Sequence, residues 1–207
     1  INGTELGYKT NLYLDKISGK FQFRIGNEII SQDYNQNDMG YLPYINEVSS
    51  FSRFDYNIFE PFWEVLSWKS SIEFRYSNLY EPQSFTDFRI TLNSAALFST
   101  QLSFAIGGFW RPLGNHDYYE AREPGRVFKK AESWSAWTKL GTDPRKMVSV
   151  NLMYKYWGNN TNLGMIWHTI GVAPLIRIQS RFQLGFNLFY DKFNNSIGHV
   201  YTINDSI

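Results

Sequence analysis

Three histidines, His116, His168 and His199, are the only imidazoles in the 207 residues, and none stands in a His-Glu-x-x-His pair or at another metal-ligand spacing. His168 falls inside a strand pattern, where a packed or inward-facing ring is the ordinary reading. Cysteine is absent, which excludes disulfides, thiolate zinc sites and a cysteine nucleophile. No Gly-x-Ser-x-Gly elbow, phosphate-binding loop or Gly-x-Gly-x-x-Gly turn occurs. Two pairs, Arg53/Asp55 and Glu73/Arg75, set a carboxylate two residues from a guanidinium. On a strand that spacing puts both groups on one face, as a general acid beside an electrostatic stabiliser or as a cross-strand charge network. The network is the simpler reading, so no catalytic residue, metal or cofactor is assigned and the chain is expected not to be an enzyme.

The most distinctive polar segment runs from Arg111 to Val127 and holds His116, Asp117, Tyr118, Tyr119, Glu120 and Arg122. Aromatic faces beside carboxylates can stack on sugar rings and accept hydroxyl hydrogen bonds, and the same oxygens suit a hard cation such as calcium. These six form a candidate loop for a glycan or peptide ligand. The competing reading is a loop folded on itself over a barrel mouth. Residues 31–46, with Asp33, Tyr34, Asp38, Tyr41 and Tyr44, admit the same two readings.

Lys and Arg number 20 against 19 Asp and Glu, a net charge of +1, so no basic field invites nucleic acid as a partner. Charged residues make up 19%, below the roughly 25% of an ordinary soluble domain, whereas 17 Phe, 14 Tyr and 7 Trp bring aromatics to 18%. Mean hydropathy is −0.37. Two uncharged runs, Ile90–Trp110 and Trp157–Ile176, approach the length of a membrane helix. Asn93, Ser94, Thr100 and Gln101 in the first, and Asn159, Asn160, Asn162 and Pro174 in the second, argue against helices there.

Alternation of period two dominates instead. Between Leu66 and Tyr76 one face carries Leu66, Trp68, Ile72, Phe74 and Tyr76, the other Lys69, Glu73 and Arg75. The same alternation marks Phe21–Ile25, Phe54–Ile58, Phe88–Leu92, Val148–Tyr156 and Phe182–Tyr190, with weaker strands at Tyr8–Leu14, Leu102–Trp110, Trp134–Leu140 and Met165–Ile176. That is ten strands, many of the nine to eleven residues that cross a bilayer when tilted. Short turns near residues 15–20, 60–64, 97–101, 141–146 and 178–180 alternate with longer links at 31–46, 77–84, 111–127, 158–162 and 191–196. Outer-membrane barrels show this asymmetry, with tight periplasmic turns and longer external loops.

The fold expected is therefore all-β, an antiparallel up-and-down transmembrane β-barrel in the bacterial outer membrane, with the lipid bilayer as partner. A charged side chain facing lipid at mid-depth costs about 2–4 kcal/mol. Arg24, Arg53, Asp55, Lys69, Glu73, Arg75, Arg89, Lys155 and Arg181 are accordingly expected to face the lumen. Tyr56, Trp63, Trp68, Tyr76, Trp110, Tyr156 and Tyr190 would form the interfacial girdles. The alternative is a soluble lipocalin-like barrel or sandwich, with the apolar faces inward, because alternation does not distinguish inside from outside.

The stretches Asn37-Asp38-Met39-Gly40-Tyr41-Leu42, Asp117-Tyr118-Tyr119-Glu120-Ala121-Arg122-Glu123-Pro124-Gly125-Arg126 and Thr142-Asp143-Pro144-Arg145-Lys146 give the chain a resemblance over most of its length. It resembles the outer-membrane proteins of Bacteroidota in which a carbohydrate-binding-module-like sandwich precedes a C-terminal barrel of unknown function. The resemblance implies the barrel and its location, and no activity. Against that pattern the upstream sandwich and a terminal aromatic residue are missing. The expectation is then that residues 1–207 are a barrel segment of a larger wall, with an eleventh strand beginning near Gly198. Three roles follow: a channel, transporter or subunit of a surface complex with other outer-membrane proteins; a surface receptor for glycans or peptides; or a soluble binding barrel.

Overall fold

The computed structural model describes residues 6–34, 45–120, 126–161, 164–179 and 182–195. Its elements are all strands: β1 (Lys9–Lys16), β2 (Phe21–Ile30), β3 (Glu47–Ile58), β4 (Val65–Leu79), β5 (Phe85–Phe98), β6 (Ser103–Arg111), β7 (Asn115–Asp117), β8 (Phe128–Lys130), β9 (Ser133–Gly141), β10 (Val148–Asn159), β11 (Ile166–Gln179), β12 (Phe182–Gly185) and β13 (Leu188–Asn194). They form one antiparallel meander in the order β1-β2-β3-β4-β5-β6-β9-β10-β11, with β12 and β13 both on the far side of β11. Nine of the ten alternating stretches each fall on one strand of this sheet, and the tenth, Phe182–Tyr190, on two.

The sheet is open. Among the described residues β1 pairs only with β2, and β12 and β13 pair only with β11, so the first and last strands are edges rather than neighbours. The fold is thus an all-β meander not closed into a barrel. The eleventh strand expected near Gly198 lies outside the described residues.

Two corrections to the expected strand pattern have local causes. The stretch Phe182–Tyr190 is not one strand but two, β12 and β13, which keep a single register on β11: Leu175 stands opposite Gly185 and Val172 opposite Leu188. The break falls at Phe186–Asn187, opposite Pro174. Phe186 still donates its N–H to the Pro174 carbonyl at 3.1 Å, but proline has no N–H to return, so the pair is held by one hydrogen bond where the ladder offers two. The second correction is in the link after β6, read as an irregular loop. It contains the β7–β8 hairpin, attached to the sheet where Asn115 pairs with Asp87 of β5. Gly114 makes its entry: φ is +65°, and a Cβ there would meet the Lys130 carbonyl oxygen at 2.0 Å.

Several strands outrun their alternating cores, β5 most of all, because Asn93–Ala96 carry pairing without carrying apolar contrast. The connections divide as expected. Links 17–20, 59–64, 99–102 and 142–147 lie at one end of the sheet, and links 31–46, 80–84, 112–132 and 160–165 at the other. The short link 180–181 lies outside the described residues.

Coverage differs sharply between the faces. Leaving glycines aside, the buried residues among the described strand positions are Ile30, Ser49, Ser77, Leu79, Ser133, Ser135, Ser149 and Thr169. The ladders put all eight on the face that carries the charges. Small side chains on the other face, such as Ser50 and Ala136, are exposed.

Candidate functional site

Residues directly opposite across an antiparallel ladder share a face. Following the ladders from strand to strand places Arg24, Arg53, Asp55, Lys69, Glu73, Arg75, Arg89 and Lys155 on one face. Arg181 and Arg122 lie outside the described residues.

The charges on this face are woven together. Arg24 binds Asp15 through two hydrogen bonds of 2.9 and 2.7 Å. Arg53 pairs with Asp55 at 2.8 Å and reaches Glu73 at 4.0 Å, and Glu73 also faces Arg75 at 3.5 Å. Lys9 meets Glu28 at 2.7 Å and Arg111 meets Asp87 at 2.9 Å. The aromatics that break the alternation by standing here serve as platforms for cations. Arg24 lies over Tyr13, Arg75 over Phe51, Arg111 over Phe109 and Lys155 over Trp167, each about 5 Å from the ring centre. Two glycines on the same face admit large rings: Trp137 lies over Gly107 and Phe189 over Gly171, where a Cβ would meet them at 2.6 and 2.9 Å.

At the long-loop end the polar face holds a pocket of about 460 Å³. Lys9, Glu28, Glu47, Glu73, Arg75, Asp87, Arg89 and Arg111 rise from the sheet into its lining, and Asn115–Tyr119 close it from the link after β6. Of the six residues of the candidate ligand loop, His116, Asp117, Tyr118 and Tyr119 thus line a pocket. Glu120 follows them, its N–H donated to Asp117 at 2.9 Å.

The segment is fixed by its own hydrogen bonds. Asp117 accepts from the Tyr119 and Glu120 N–H groups and from Lys130 Nζ at 2.8 Å. Tyr118 donates its hydroxyl to the Phe85 carbonyl at 3.2 Å, and Tyr119 donates to the Ile45 carbonyl at 2.7 Å, tying this link to the one between β2 and β3. The edge of His116 packs on Phe85 with centroids 5.2 Å apart. Burial opposes ionisation of Asp117, but Lys130 and the two N–H donors outweigh it and hold the carboxyl below its ordinary pKa. Burial, helped by Lys129, pushes His116 below the usual imidazole value.

Asp87, Arg111, Glu28 and Glu47 belong to the pocket although sequence reasoning did not single them out. Asp87 and Glu28 alternate with apolar neighbours and carried the same signal as the chosen residues. Arg111 was hidden by its place at the start of a loop. Among the described residues no group of three His, Asp or Glu side chains could hold a metal ion.

The opposite face is apolar. It presents Leu12, Ile25, Phe54, Ile72, Phe74, Leu92, Ile106, Leu152, Ile170 and Leu188 along its middle. Toward the long-loop end it presents Tyr76, Phe88, Trp110, Trp134, Tyr156 and Tyr190. Tyr56, Trp68 and Phe104 stand toward the short-turn end. Among the described residues of β1–β6 and β9–β13, the charged side chains on this face are Lys16 and Lys192, each near a strand end. His168 is on this face too, its Nδ1 2.8 Å from the Tyr154 hydroxyl.

The turn between β9 and β10 is locked by Asp143, which accepts from the Arg145 N–H at 2.9 Å, Nε at 3.0 Å and Nη2 at 2.9 Å. Those bonds hold its carboxyl at about 2.

The family model described as a domain of unknown function (DUF5916) matches residues 1–207, and the chain belongs to that family. No curated protein and no solved structure was found to match it.

Proposed function

We propose that this member of the DUF5916 family is wall of an outer-membrane β-barrel, with the apolar face in lipid and the polar face turned to the interior. Its role on this reading is non-catalytic: a channel, a transporter or a subunit of a cell-surface complex. The carrying observation is the uncovered apolar face, whose charges among the described residues of β1–β6 and β9–β13 are confined to Lys16 and Lys192. Soluble monomers rarely expose contiguous apolar patches beyond a few hundred Å². Here exposed Leu12, Ile25, Leu92, Ile106, Leu152, Ile170 and Leu188 extend from one edge of the sheet to the other.

Two further features support lipid as the cover. Ten residues at about 3.3 Å each, tilted by 35–45°, span roughly 25 Å, the height of the apolar band of such barrels. The Tyr and Trp side chains near the long-loop end suit the headgroup region, where a ring with a polar tip is half solvated. The resemblance to barrel proteins of Bacteroidota with a sandwich domain ahead of the barrel supports the same reading. In that setting the bilayer is the partner, and the charged interior selects what passes or binds.

Because the chain has no cysteine, single cysteines at the adjacent Asn151 and Leu152 test the two faces directly. In vesicles containing brominated lipid, a fluorophore on Leu152→Cys is expected to be quenched and one on Asn151→Cys spared. Equal quenching of both, or none at either, overturns the proposal. A heat-modifiable gel band from the membrane fraction is the companion observation.

A further inference from the structure

We infer that the pocket at the long-loop end binds an oxyanion, a carboxylate or phosphate group, on a row of three guanidiniums centred on Arg89. Arg75 of β4 and Arg89 of β5 are directly paired, and Arg89 and Arg111 are the next residues beyond Ile90–Trp110, the last pair of the β5–β6 ladder. Three like charges therefore stand on successive strands of one face, the Cα atoms of the Arg75–Arg89 pair about 5 Å apart. Like charges directly opposite one another destabilise a sheet unless something neutralises them.

The outer two are neutralised. Arg75 has Glu73 at 3.5 Å and the Phe51 ring beneath it, and Arg111 has Asp87 at 2.9 Å and the Phe109 ring. Arg89 has no carboxylate partner among the described residues; its Nε, like that of Arg111, is shielded from water without a hydrogen-bond acceptor. All three line the same cavity. A guanidinium presents paired N–H donors in a planar fork that fits both oxygens of a carboxylate or phosphate. An anion on the terminal nitrogens of Arg89 would supply the counter-charge it lacks and relieve the repulsion along the row together.

The inference goes beyond the membrane reading and does not depend on where lipid stands, so the two fail separately. The test is calorimetric titration of the purified full chain with inorganic phosphate and with succinate, against sodium chloride at matched ionic strength. Wild type is expected to show saturable binding of at least one of the two anions. Binding of phosphate alone or succinate alone supports the inference and fixes the class; binding of both supports the shared chemistry. Arg89→Gln should weaken binding at least tenfold. Arg89→Lys, which keeps the charge without the fork, should weaken it by a smaller factor. Arg145→Gln removes one positive charge at the far end of the sheet and should bind as wild type. Removing Arg89 relieves repulsion, so the variant should fold, which its circular dichroism verifies. If Arg89→Gln nevertheless fails to fold, Arg89→Lys decides alone, and undiminished binding by it overturns the inference. Absence of saturable binding by wild type, unchanged binding by folded Arg89→Gln, or an equal loss in Arg145→Gln also overturns it.

Discussion

Leu92 is the position at which the facing of the sheet can be weighed most directly. It lies near the middle of β5, opposite Ile72 on one side and Gly108 on the other, and is 54% exposed in the isolated sheet. With lipid on this face, Leu92→Arg should destabilise the folded protein by about 2–4 kcal/mol, a roughly 30- to 1,000-fold shift in the folding equilibrium. Phe88→Arg, on the same face but toward the long-loop end, should lose about 1 kcal/mol, because a long cationic side chain there reaches the headgroups. Thr91→Arg, one residue away on the polar face, gains Glu73 as a direct neighbour and should stay within about 0.5 kcal/mol of wild type. The assay is urea titration of protein folded into vesicles, followed by tryptophan fluorescence and checked by gel mobility. The ordering matters more than any single value. Equal, large losses at Leu92 and Phe88 would mean an enclosed core rather than a bilayer. A Leu92→Arg variant as stable as Thr91→Arg would remove the argument that this face is covered at all.

Sidedness gives a second expectation: protease added to intact cells should cut within 112–132 and spare 17–20, and cutting at both ends would refute the loop asymmetry as a guide to orientation. The Asp143 turn gives a third. Its carboxyl sits at about 2 when folded, against about 3.9 unfolded, so the stability it supplies is complete above pH 3.9 and is lost as pH falls toward 2. Asp143→Asn should flatten the stability profile in that window while leaving other pH-dependent losses in place, and an unchanged profile would refute the assignment. Lys130→Met removes a cation from Asp117 and should speed proteolysis within the 112–132 link without changing the stability of the sheet, as measured by urea titration. Gly107→Ala forces a Cβ against Trp137 and should destabilise by about 1–3 kcal/mol, with a shift in indole fluorescence.

The strands were legible because each buries or exposes one face at a time, so Lys69, Glu73 and Arg75 against Trp68, Ile72 and Phe74 state both the element and its two sides. What the sequence does not display is register. Arg75 and Arg89 each look like ordinary polar-face residues; their direct opposition depends on the 80–84 link and on the irregularity between Ser77 and Asn78, which moves the pairing by one residue. The closure of the pocket was hidden for a related reason. Asn115–Asp117 form too short a stretch for alternation to show, and the residue that ties Asn115 to the sheet, Asp87, belongs to another hairpin. Pro174 was visible as a proline within a strand pattern. Its effect appears one strand away, in the gap at Phe186–Asn187, since the donor it lacks belongs to the bond with that neighbour.

The meander has a bearing on how such a sheet assembles and varies. From β1 to β6, and again from β9 to β12, each strand leans on one that the chain has just made or is about to make; the step from β6 to β9 spans only the β7–β8 hairpin, and β13 returns past the short β12 to β11. Assembly can then run as a zipper, hairpin by hairpin, with modest loop closure at each step. A hairpin inserted or deleted in the series would change the circumference available to the sheet while leaving every other pairing intact. Width becomes a quantity that evolution can tune in units of two strands, and the edges at β1 and β12–β13 are where such a series is free to lengthen.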